Sequence, residues 1–398
     1  MCDLVSAPLS NAYIAEAELR KPEIYYPLCL YICNQCWLMQ IEDYNKAHEI
    51  FGDTYRYYSS FSTLWLNHAS KYVKMIISRL NLNNTSKVME IASNDGYLLQ
   101  YFKMDGIPCF GVDPAEGPAQ KANDMGIETI VSFFNLDMAA EIVKLKGRQD
   151  LIIGNNVLAH VPDINNFVAG LEISLSSHGT ITMEFPHLME LIGQTQFDTI
   201  YHEHYSYLLL ATVESIFKKH GLRIYDVEKV FTHGGSLRIY ACHADDKSHP
   251  TLLSVELIIS EERSQGLFQI QTYHDFQRRV NKIRSRFLQF LIEQRMAGKR
   301  IVAYGAAAKG NTLLNYCGVK GTEFIEYVAD ASPFKQGFYL PGSRIPIVEP
   351  HRIFLDKPDF IIIFPWNIKN EIITQLEGIR EWGGKFIIPI PELEVIDA

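Results

Sequence analysis

Three features common in other classes of protein are missing from this sequence of 398 residues. No run approaches the roughly 18 uninterrupted apolar residues that a membrane-spanning helix needs. The N-terminus lacks the basic segment and apolar core of a signal peptide. A broad excess of basic residues is also missing, because the formal net charge is -9 at pH 7, and this argues against nucleic acid or an anionic membrane as a partner. We expect a globular cytoplasmic protein.

Cysteine is scarce, with seven residues in the whole chain. The odd number favours reduced thiols over a disulfide framework. The stretch CNQC places Cys33 and Cys36 at a spacing that suits two thiolates on one zinc ion, although a structural zinc site usually has four ligands. Four others are interpreted as small buried apolar side chains, namely Cys29, Cys109, Cys242 and Cys317.

Hydrophobic patterns divide the chain into three regions. Residues 1–68 contain little helical or strand periodicity. In residues 69–245, helical patterns alternate with short apolar strands such as KVMEIAS and DLIIGNNVLAHV, which predicts a parallel sheet with crossover helices. A helical stretch over roughly 255–298 precedes a second alternating block within residues 246–398. The predicted fold class is α/β, with two Rossmann-like units and a small N-terminal appendage.

The turn after the first predicted strand is a candidate ligand site, because parallel sheets bind ligands at the carboxyl ends of their strands. In VMEIASNDGYLL, Glu90 lies in the strand and Asp95 stands at the helix entrance. Ala92 and Gly96 make the turn small and flexible, so a ligand can approach its backbone. The pattern is not G-x-G-x-x-G, which disfavours a dinucleotide.

Two further strand ends carry polar side chains. Asp113 follows the second strand, where a carboxylate can accept hydrogen bonds from both hydroxyls of a ribose. The third strand ends at Asn155 and Asn156, with His160 shortly after. Alternatively, Asp113 begins a turn and the earlier aspartate caps a helix. The ordered set of three strand ends favours a binding site.

These residues carry a family resemblance. EIASNDGYLL, GVDPA and NNVLAHVPD resemble the S-adenosylmethionine-binding motifs of class I methyltransferases. A wider set resembles the bacterial sugar C-methyltransferases, which make 3-C-methyl branched deoxysugars from nucleotide-linked 4-keto sugars. That set comprises PLSNAYI, YPLCLYICNQCWLMQ, YHEHYSY, HGGSLRIY, YGAAAKGNTLLNYCG and KQGFYLPGSRIPI. The resemblance implies a zinc-binding module in 1–68, an S-adenosylmethionine-binding domain in 69–245 and a nucleotide-sugar-binding domain in 246–398.

The zinc-binding motif departs from the family pattern. The family has a second cysteine pair upstream of the segment that matches PLSNAYI, and this chain begins only a few residues before that segment. Cys2 and Cys29 do not occupy the family positions. We therefore expect a truncated module, and zinc bound by Cys33 and Cys36 is less favoured than its absence.

The run YHEHY is the candidate catalytic segment. A carbon next to a ketone becomes a nucleophile only after it loses a proton, so its methylation requires a base and a donor to the enolate oxygen. Histidine titrates near neutral pH and suits the first task. The resemblance implies that His204 is the base and that Tyr201 and Glu203 assist it. Tyr57 is a further candidate donor to the oxyanion.

Other interpretations of this run remain open. If it is extended, side chains alternate, and Glu203 and His204 then cooperate only if the chain bends. The run can also be a lead into the helix ATVESIFKKHG, with Thr212 as its cap and the histidines packed in the core. His202, in the same run, is a candidate substrate-binding residue.

The second alternating block contains the turn YGAAAKGN. Gly305 allows close backbone approach, the helix N-terminus favours an anion, and Lys309 adds positive charge, so we expect the turn to bind a diphosphate. Asn311 in the same helix and Lys335 further on are candidate partners of the nucleotide sugar. His233 in FTHGGSLRIY is another, unless that stretch is only a hairpin turn.

The sequence thus predicts an enzyme of deoxysugar biosynthesis that transfers the methyl group of S-adenosylmethionine to C3 of a nucleotide-linked 4-keto-6-deoxy sugar. A small-molecule O- or N-methyltransferase is the nearest alternative. A nucleotide-sugar-binding protein without catalysis is an alternative of another class.

Overall fold

The computed structural model describes residues 1–44, 51 and 57–397, apart from the side chain of His233. A four-stranded sheet in the order β1-β2-β3-β9 holds the N-terminal segment. Its neighbouring strands are antiparallel, and their bounds are β1 Cys2–Ala7, β2 Tyr26–Ile32, β3 Met39–Ile41 and β9 Ser206–Tyr207. Because β9 comes from much later in the chain, the sequence of the first 68 residues does not contain the whole of this sheet.

The central sheet has seven strands in the order β10-β11-β8-β7-β4-β5-β6. All adjacent pairs from β8 to β6 are parallel, and only β11 runs against its neighbours. The bounds are β4 Val88–Ile91, β5 Cys109–Asp113, β6 Thr129–Val131, β7 Gln149–Asn155, β8 Leu175–Pro186, β10 Leu222–Val230 and β11 Ser236–His243.

Helices cover both faces of the central sheet. Two hydrophobic clusters lie one on each face, so the sheet is buried on both sides, as expected for parallel strands that read as continuous apolar runs. The helices are α1 Thr63–Leu80, α2 Leu99–Met104, α3 Glu116–Asp124, α4 Leu136–Lys146, α5 Ile164–Ser174, α6 Leu188–Gln194, α7 Leu210–Lys219 and α8 Leu253–Ser264.

The C-terminal sheet has the order β14-β13-β12-β15-β16-β17, parallel except for β17. Its strands are β12 Ile301–Tyr304, β13 Val328–Ala329, β14 Ile347–Val348, β15 Phe360–Ile363, β16 Lys385–Ile388 and β17 Glu394–Asp397. The helices of this part are α9 Gln271–His274, α10 Phe276–Met296, α11 Ala308–Cys317, α12 Arg352–Asp356 and α13 Lys369–Gln375. The predicted α/β class with two parallel-sheet units is confirmed.

Polar side chains fix where several of these helices begin. Ser62 Oγ accepts a hydrogen bond from the Trp65 amide at the start of α1, and Asn135 caps α4 in the same way, which satisfies amides that have no partner within the helix. Helix α7 is different, since Glu262 of α8 accepts from the amides of Leu210 and Ala211. The alternative interpretation, in which Thr212 caps this helix, is wrong on that point, because Thr212 lies inside the helix and donates to the Cys36 carbonyl.

Both sheets have a topological switch point, the place where successive parallel strands extend the sheet in opposite directions. In the central sheet it lies between β4 and β7, and in the C-terminal sheet it lies between β12 and β15. Open α/β sheets bind ligands in the crevice beyond the carboxyl ends of such strands. Among the described helices, none is long and apolar enough to cross a membrane.

Candidate active site

One cavity of about 800 Å³ connects the two switch points. On the central side its wall contains residues that follow β4, β5 and β7, and on the C-terminal side residues that follow β12 and β15. The N-terminal segment contributes Asn11, and Tyr57 lies on the wall as well. A ligand held by one sheet therefore faces a ligand held by the other.

Asp113 stands at the carboxyl end of β5 on the cavity wall. Its Oδ2 accepts from the Asn94 amide and its Oδ1 from the Ala115 amide, both at 2.8 Å. These two bonds fix the carboxyl group while leaving lone pairs on both oxygens. Burial raises the pKa of Asp113 to about 6, and the two amides act against that rise. Hydroxyl donors from a ligand would favour the ionised form further.

Asn155, Asn156 and His160 lie on the same side of the cavity. Oδ1 of Asn155 is buried and has no hydrogen-bond partner among the described residues, so it is an acceptor that a ligand can satisfy. Burial lowers the pKa of His160 to about 4, which keeps this imidazole neutral at physiological pH. The centres of the His160 and His204 rings lie 4.6 Å apart, and the rings meet edge to face.

The turn after β4 has the left-handed backbone that a close approach requires. Ala92 and Asn94 have φ values of +58° and +50°, and both lie on the cavity wall. Gly96 is different, because a Cβ on it would come within 2.7 Å of Ile127 Cδ1. A glycine is therefore required at position 96 for packing against Ile127. Gly96 is not among the residues that line the described cavity wall.

Two predicted cofactor-binding carboxylates also lie outside the described cavity wall. Glu90 is fully buried within β4, and burial raises its pKa well above the usual range. Asp95 Oδ2 accepts from Lys121 Nζ at 2.8 Å and from Ser60 Oγ at 2.5 Å. Asp95 therefore attaches the segment before α1 to the central sheet. Contact of Glu90, Asp95 and Gly96 with the cofactor stays a prediction.

The YHEHY run forms a tight turn, so the alternation expected of an extended strand is wrong. The His204 amide donates to the Tyr201 carbonyl at 2.9 Å. This bend directs Tyr201, Glu203 and His204 to the cavity wall together. His202 points away, with Nε2 at 3.0 Å from the Pro27 carbonyl and its ring against Tyr26. His202 is therefore not on the described cavity wall, and its role in substrate binding stays a prediction.

Hydrogen bonds define the tautomer of His204. Nδ1 lies 2.8 Å from the Thr199 carbonyl oxygen, which can only accept, so Nδ1 carries the proton. Nε2 of the neutral ring then has the lone pair, and it accepts from the Tyr201 hydroxyl at 2.8 Å. The basic nitrogen is thus paired with a phenol on the cavity wall.

Glu203 is a buried carboxyl group in the same turn. Its Oε2 accepts from Asn11 Nδ2 at 2.8 Å, while Oε1 is buried without a partner among the described residues. Burial raises the pKa of Glu203 to about 7, and the hydrogen bonds from Asn11 act against the rise. The group is consequently able to gain or lose a proton near neutral pH.

The C-terminal side of the cavity is basic. Lys309 lies in the first turn of α11, its ammonium 4.9 Å from the centre of the Trp366 ring, and burial lowers its pKa although Asp198 opposes that effect. Lys335 Nζ donates to the Ala306 carbonyl at 2.9 Å and lies 3.7 Å from Asp330. Both lysines are on the wall.

Three other residues predicted to bind the substrate have different surroundings. A Cβ on Gly305 would lie 2.4 Å from Pro365 Cδ, so this glycine serves the packing of two loops. Asn311 Nδ2 donates to the Ser10 carbonyl at 2.6 Å and anchors the N-terminal segment. His233 lies in the turn Thr232–Gly234 between β10 and β11, which are paired as a hairpin, and its side chain is outside the described atoms.

Sequence patterns did not reveal two polar groups of the site. Asn11 was hidden in a segment without periodicity. His187 lies on the cavity wall directly after β8, and its Nε2 is 2.8 Å from Oε1 of Glu262, a residue 75 positions later in the chain. The only available signal for His187 was its place at the end of a predicted strand.

Cys33 and Cys36 occupy the turn between β2 and β3, both as free thiols. The amide of Cys33 donates to the Leu38 carbonyl and the Trp37 amide to the Cys33 carbonyl. Hydrogen bonds from the amides of Cys36 and Gln35 lower the pKa of the Cys33 thiol, which suits a metal ligand. No group of three or more His, Cys, Asp or Glu residues in the described ranges could hold a metal ion, so the residues in view do not complete a zinc site.

Comparisons with known proteins match three successive parts of the chain to families. Residues 1–51 match a family described as a putative zinc binding domain, residues 65–227 match a methyltransferase domain, and residues 231–391 match the C-methyltransferase C-terminal domain. The C-methyltransferase NovU of Streptomyces niveus is 37% identical over 393 residues, which are 99% of this chain and 93% of that protein.

Solved methyltransferases share only low similarity with this chain. The magnesium protoporphyrin IX methyltransferase of Synechocystis PCC 6803, solved with bound SAH, is 16% identical and matches 49% of this chain and 91% of that one, with a TM-score of 0.37. A methyltransferase of Clostridium acetobutylicum is 12% identical over 45% of this chain and 92% of that one, also with a TM-score of 0.37.

Proposed function

Since the chain belongs to the C-methyltransferase family and is a methyltransferase that uses S-adenosylmethionine, we propose that it methylates C3 of a nucleotide-linked 4-keto-6-deoxy sugar through an enolate. The observation that best supports this is the single cavity that joins both switch points. It allows a methyl donor on the central sheet and a nucleotide-bearing substrate on the C-terminal sheet to meet at the YHEHY turn.

The central side of the cavity suits S-adenosylmethionine, which supplies an electrophilic methyl group. Asp113 would accept from ribose hydroxyls, since its oxygens retain lone pairs and its position is fixed by two amides. The unpartnered Oδ1 of Asn155 offers a second acceptor. Ala92 and Asn94 supply a left-handed turn on the wall, which allows a ligand close to the backbone.

His204 would remove the C3 proton of the sugar. Thr199 holds the proton on Nδ1 and leaves the lone pair on Nε2, which is the arrangement a general base requires. The electrons of the C3–H bond then form the enolate, whose oxygen develops negative charge. Tyr201 would turn its hydroxyl from Nε2 to this oxygen, freeing the base and stabilising the enolate in one movement. Glu203, when ionised, would stabilise the imidazolium.

The C-terminal side would hold the diphosphate. Ala307, Ala308 and Lys309 from the start of α11 lie on the wall, where the helix N-terminus and the lysine attract an anion. Lys335 lies on the same wall as a second cation.

The experiment that tests this function uses S-adenosylmethionine with a labelled methyl group and a panel of nucleotide-linked sugars. The panel pairs each 4-keto-6-deoxy sugar with its 4-hydroxy counterpart and varies the nucleotide. We expect label at C3 of a 4-keto sugar only, because a 4-hydroxyl cannot support the enolate. Label on oxygen or nitrogen would instead indicate a small-molecule O- or N-methyltransferase and would contradict the proposal.

A further inference from the structure

The loop after β1 is attached to the C-terminal part of the chain on both sides of Asn11. Asn311 Nδ2 donates to the carbonyl of Ser10, the residue before Asn11. Two positions further on, the Tyr13 hydroxyl donates to the Ala306 carbonyl at 2.7 Å. Ile14 then pairs with Tyr339 through backbone hydrogen bonds. The backbone of Asn11 is therefore fixed although it belongs to no helix or strand.

The side-chain amide of Asn11 is oriented as well as placed. Its Oδ1 lies 3.2 Å from the Tyr13 hydroxyl, and its Nδ2 lies 2.8 Å from Glu203 Oε2. When Glu203 is ionised, the opposite orientation would put the amide oxygen against a carboxylate oxygen and lose this donor. Asn11 therefore donates to the ionised Glu203, and both residues lie on the cavity wall.

We propose that Asn11 is a positioning residue of the methyl-transfer site, whose amide holds the Glu203 carboxyl in one orientation beside Tyr201 and His204. This rests on the proposed function of the YHEHY turn. The N-terminal segment thereby completes the catalytic centre, since no side chain of the central or C-terminal sheet makes this hydrogen bond among the described residues.

The hydrogen bond also has a consequence for the proton of Glu203. An N–H donor stabilises the carboxylate more than the neutral acid, and it opposes the burial that raises this pKa to about 7. Lys335 also faces Glu203 and favours the carboxylate. The other groups around Glu203 are Tyr13 in the same loop as Asn11, Tyr201 and His204 in the same turn as Glu203, and His160, whose ring contacts that of His204. Without the donor, more of the enzyme would carry a neutral Glu203 at pH 7.

The test is a titration of Glu203 in the full-length protein without substrate. Glutamate labelled with ¹³C at its side-chain carboxyl reports ionisation by NMR, and Glu203→Gln identifies the signal. Asn11→Leu keeps the approximate size of the side chain and removes the donor. The midpoint of the Glu203 titration should therefore rise by about 1 to 2 pH units, as expected for the loss of one hydrogen bond to a charged group. Asn11→Asp removes it with a smaller change of shape and should also raise the midpoint.

Activity provides a second readout. On the acid side of the pH profile, kcat/KM of Asn11→Leu should fall at a higher pH than in wild type, by the same amount as the Glu203 midpoint rises. Much of the activity lost at pH 6.5 should therefore return at pH 8.5. Asn281→Leu is the matched control, because Asn281 lies on α10 and bonds Gln277 and Tyr316; its Glu203 midpoint should equal that of wild type.

The titration needs no substrate, so an error in the proposed sugar leaves its result intact. A midpoint that is the same in wild type, Asn11→Leu and Asn11→Asp would overturn the proposal while leaving the proposed function in place. An activity loss in Asn11→Leu that is equal at every pH would also overturn it, since it would indicate a structural role alone.

Discussion

Burial gives neighbouring side chains of one cavity wall different acid–base properties. The pKa of His160 falls to about 4 while that of Glu203 rises to about 7, and both changes have the same cause, because an apolar environment disfavours whichever form is charged. Hydrogen bonds at both ring nitrogens of His204 fix its tautomer and leave the lone pair on Nε2, beside the Tyr201 hydroxyl. This arrangement, together with the low pKa of His160, favours His204 over His160 as the base.

Replacing His204 with asparagine should abolish most turnover without abolishing binding. The amide retains hydrogen-bonding capacity but cannot take a proton near pH 7, so we expect kcat to fall by about 10²- to 10⁴-fold with both ligands still bound by calorimetry. Tyr201→Phe should cost less, about 10²- to 10³-fold at most, as for one oxyanion donor.

The neighbouring histidine offers a matched control. His202 donates to the Pro27 carbonyl away from the cavity, so His202→Asn should affect kcat far less than His204→Asn. Turnover near the wild-type rate in a His204→Asn enzyme that binds both ligands would refute the assignment of the base.

The carboxyl of Glu203 should make folding stability depend on pH. Its pKa is about 7 in the folded state against an ordinary 4.5, so its contribution is fully present below pH 4.5 and is lost as pH rises through 7. Glu203→Gln removes this loss. In urea unfolding, the stability of the variant relative to wild type should therefore increase between pH 4 and pH 8 by up to about 3 kcal/mol. A difference that stays constant over this range would contradict the expectation.

At the scale of elements, both parallel sheets use the same device at a strand end. Asp113, the last residue of β5, accepts hydrogen bonds from the Asn94 amide in the turn after β4 and from the Ala115 amide two positions later. Asp330 after β13 does the same with the amides of Ala306 and Ser332. Only Asp113 is on the described cavity wall, whereas Asp330 lies 3.7 Å from the ammonium of Lys335. The two sheets thus resemble one another in structure but offer different surfaces.

The start of α11 should contribute to binding of the nucleotide sugar and not of the cofactor. Lys309→Ala removes a cation from the C-terminal wall of the cavity, so the apparent KM for the sugar nucleotide should rise by about 10-fold or more, as for one hydrogen bond to a charged group, while cofactor affinity measured by calorimetry stays unchanged. Lys320→Ala, an exposed lysine just beyond the same helix, is the control and should alter neither value. A parallel change in both affinities, or no change in either, would show that the subsite is wrongly assigned.

The sequence predicted the buried parallel strands well and the N-terminal strands poorly, for a physical reason. Strands such as β7 and β15 are covered on both faces and appear as continuous apolar runs. The strands β1 to β3 belong to a sheet that is completed by β9, from a region 165 residues beyond β3. No local pattern contains that pairing, and none indicates that Asn11 meets Glu203.

The site itself shows the same division. Residues placed at strand ends, such as Asp113 and Asn156, are on the cavity wall as their position predicted. The direction of side chains in the YHEHY turn was not predictable from period, because a turn has none. Asp95 and Asn311 are polar residues in the expected motifs, yet their partners are Lys121 and the Ser10 carbonyl, which lie far away in sequence.

At the scale of the whole molecule, residues 197–207 form the junction of its three parts, and we refer to them as the junction segment. Through β9 the segment pairs with β3 of the N-terminal sheet. Asp198 accepts from Trp366 Nε1 at 2.7 Å, and the Ile200 carbonyl accepts from Thr312 Oγ1 at 3.0 Å, so it is also bound to the C-terminal part. The proposed base is therefore held in place by contacts with elements that come from both ends of the chain.

Loosening this junction should affect stability and catalysis together. Thr312→Val keeps the shape of a side chain that is 2% exposed but leaves the Ile200 carbonyl unsatisfied in a buried site, which should cost about 1 to 3 kcal/mol in urea unfolding. Because His204 lies in the junction segment, kcat should fall as well, with less change in cofactor affinity.

Thr374→Val is the matched control for this substitution. Thr374 makes the same kind of hydrogen bond to the Asn370 carbonyl, but on an exposed face of α13, so Thr374→Val should cost no more than about 0.5 kcal/mol in stability. Equal effects of the two substitutions would mean that the contact between α11 and the junction segment does not position the base.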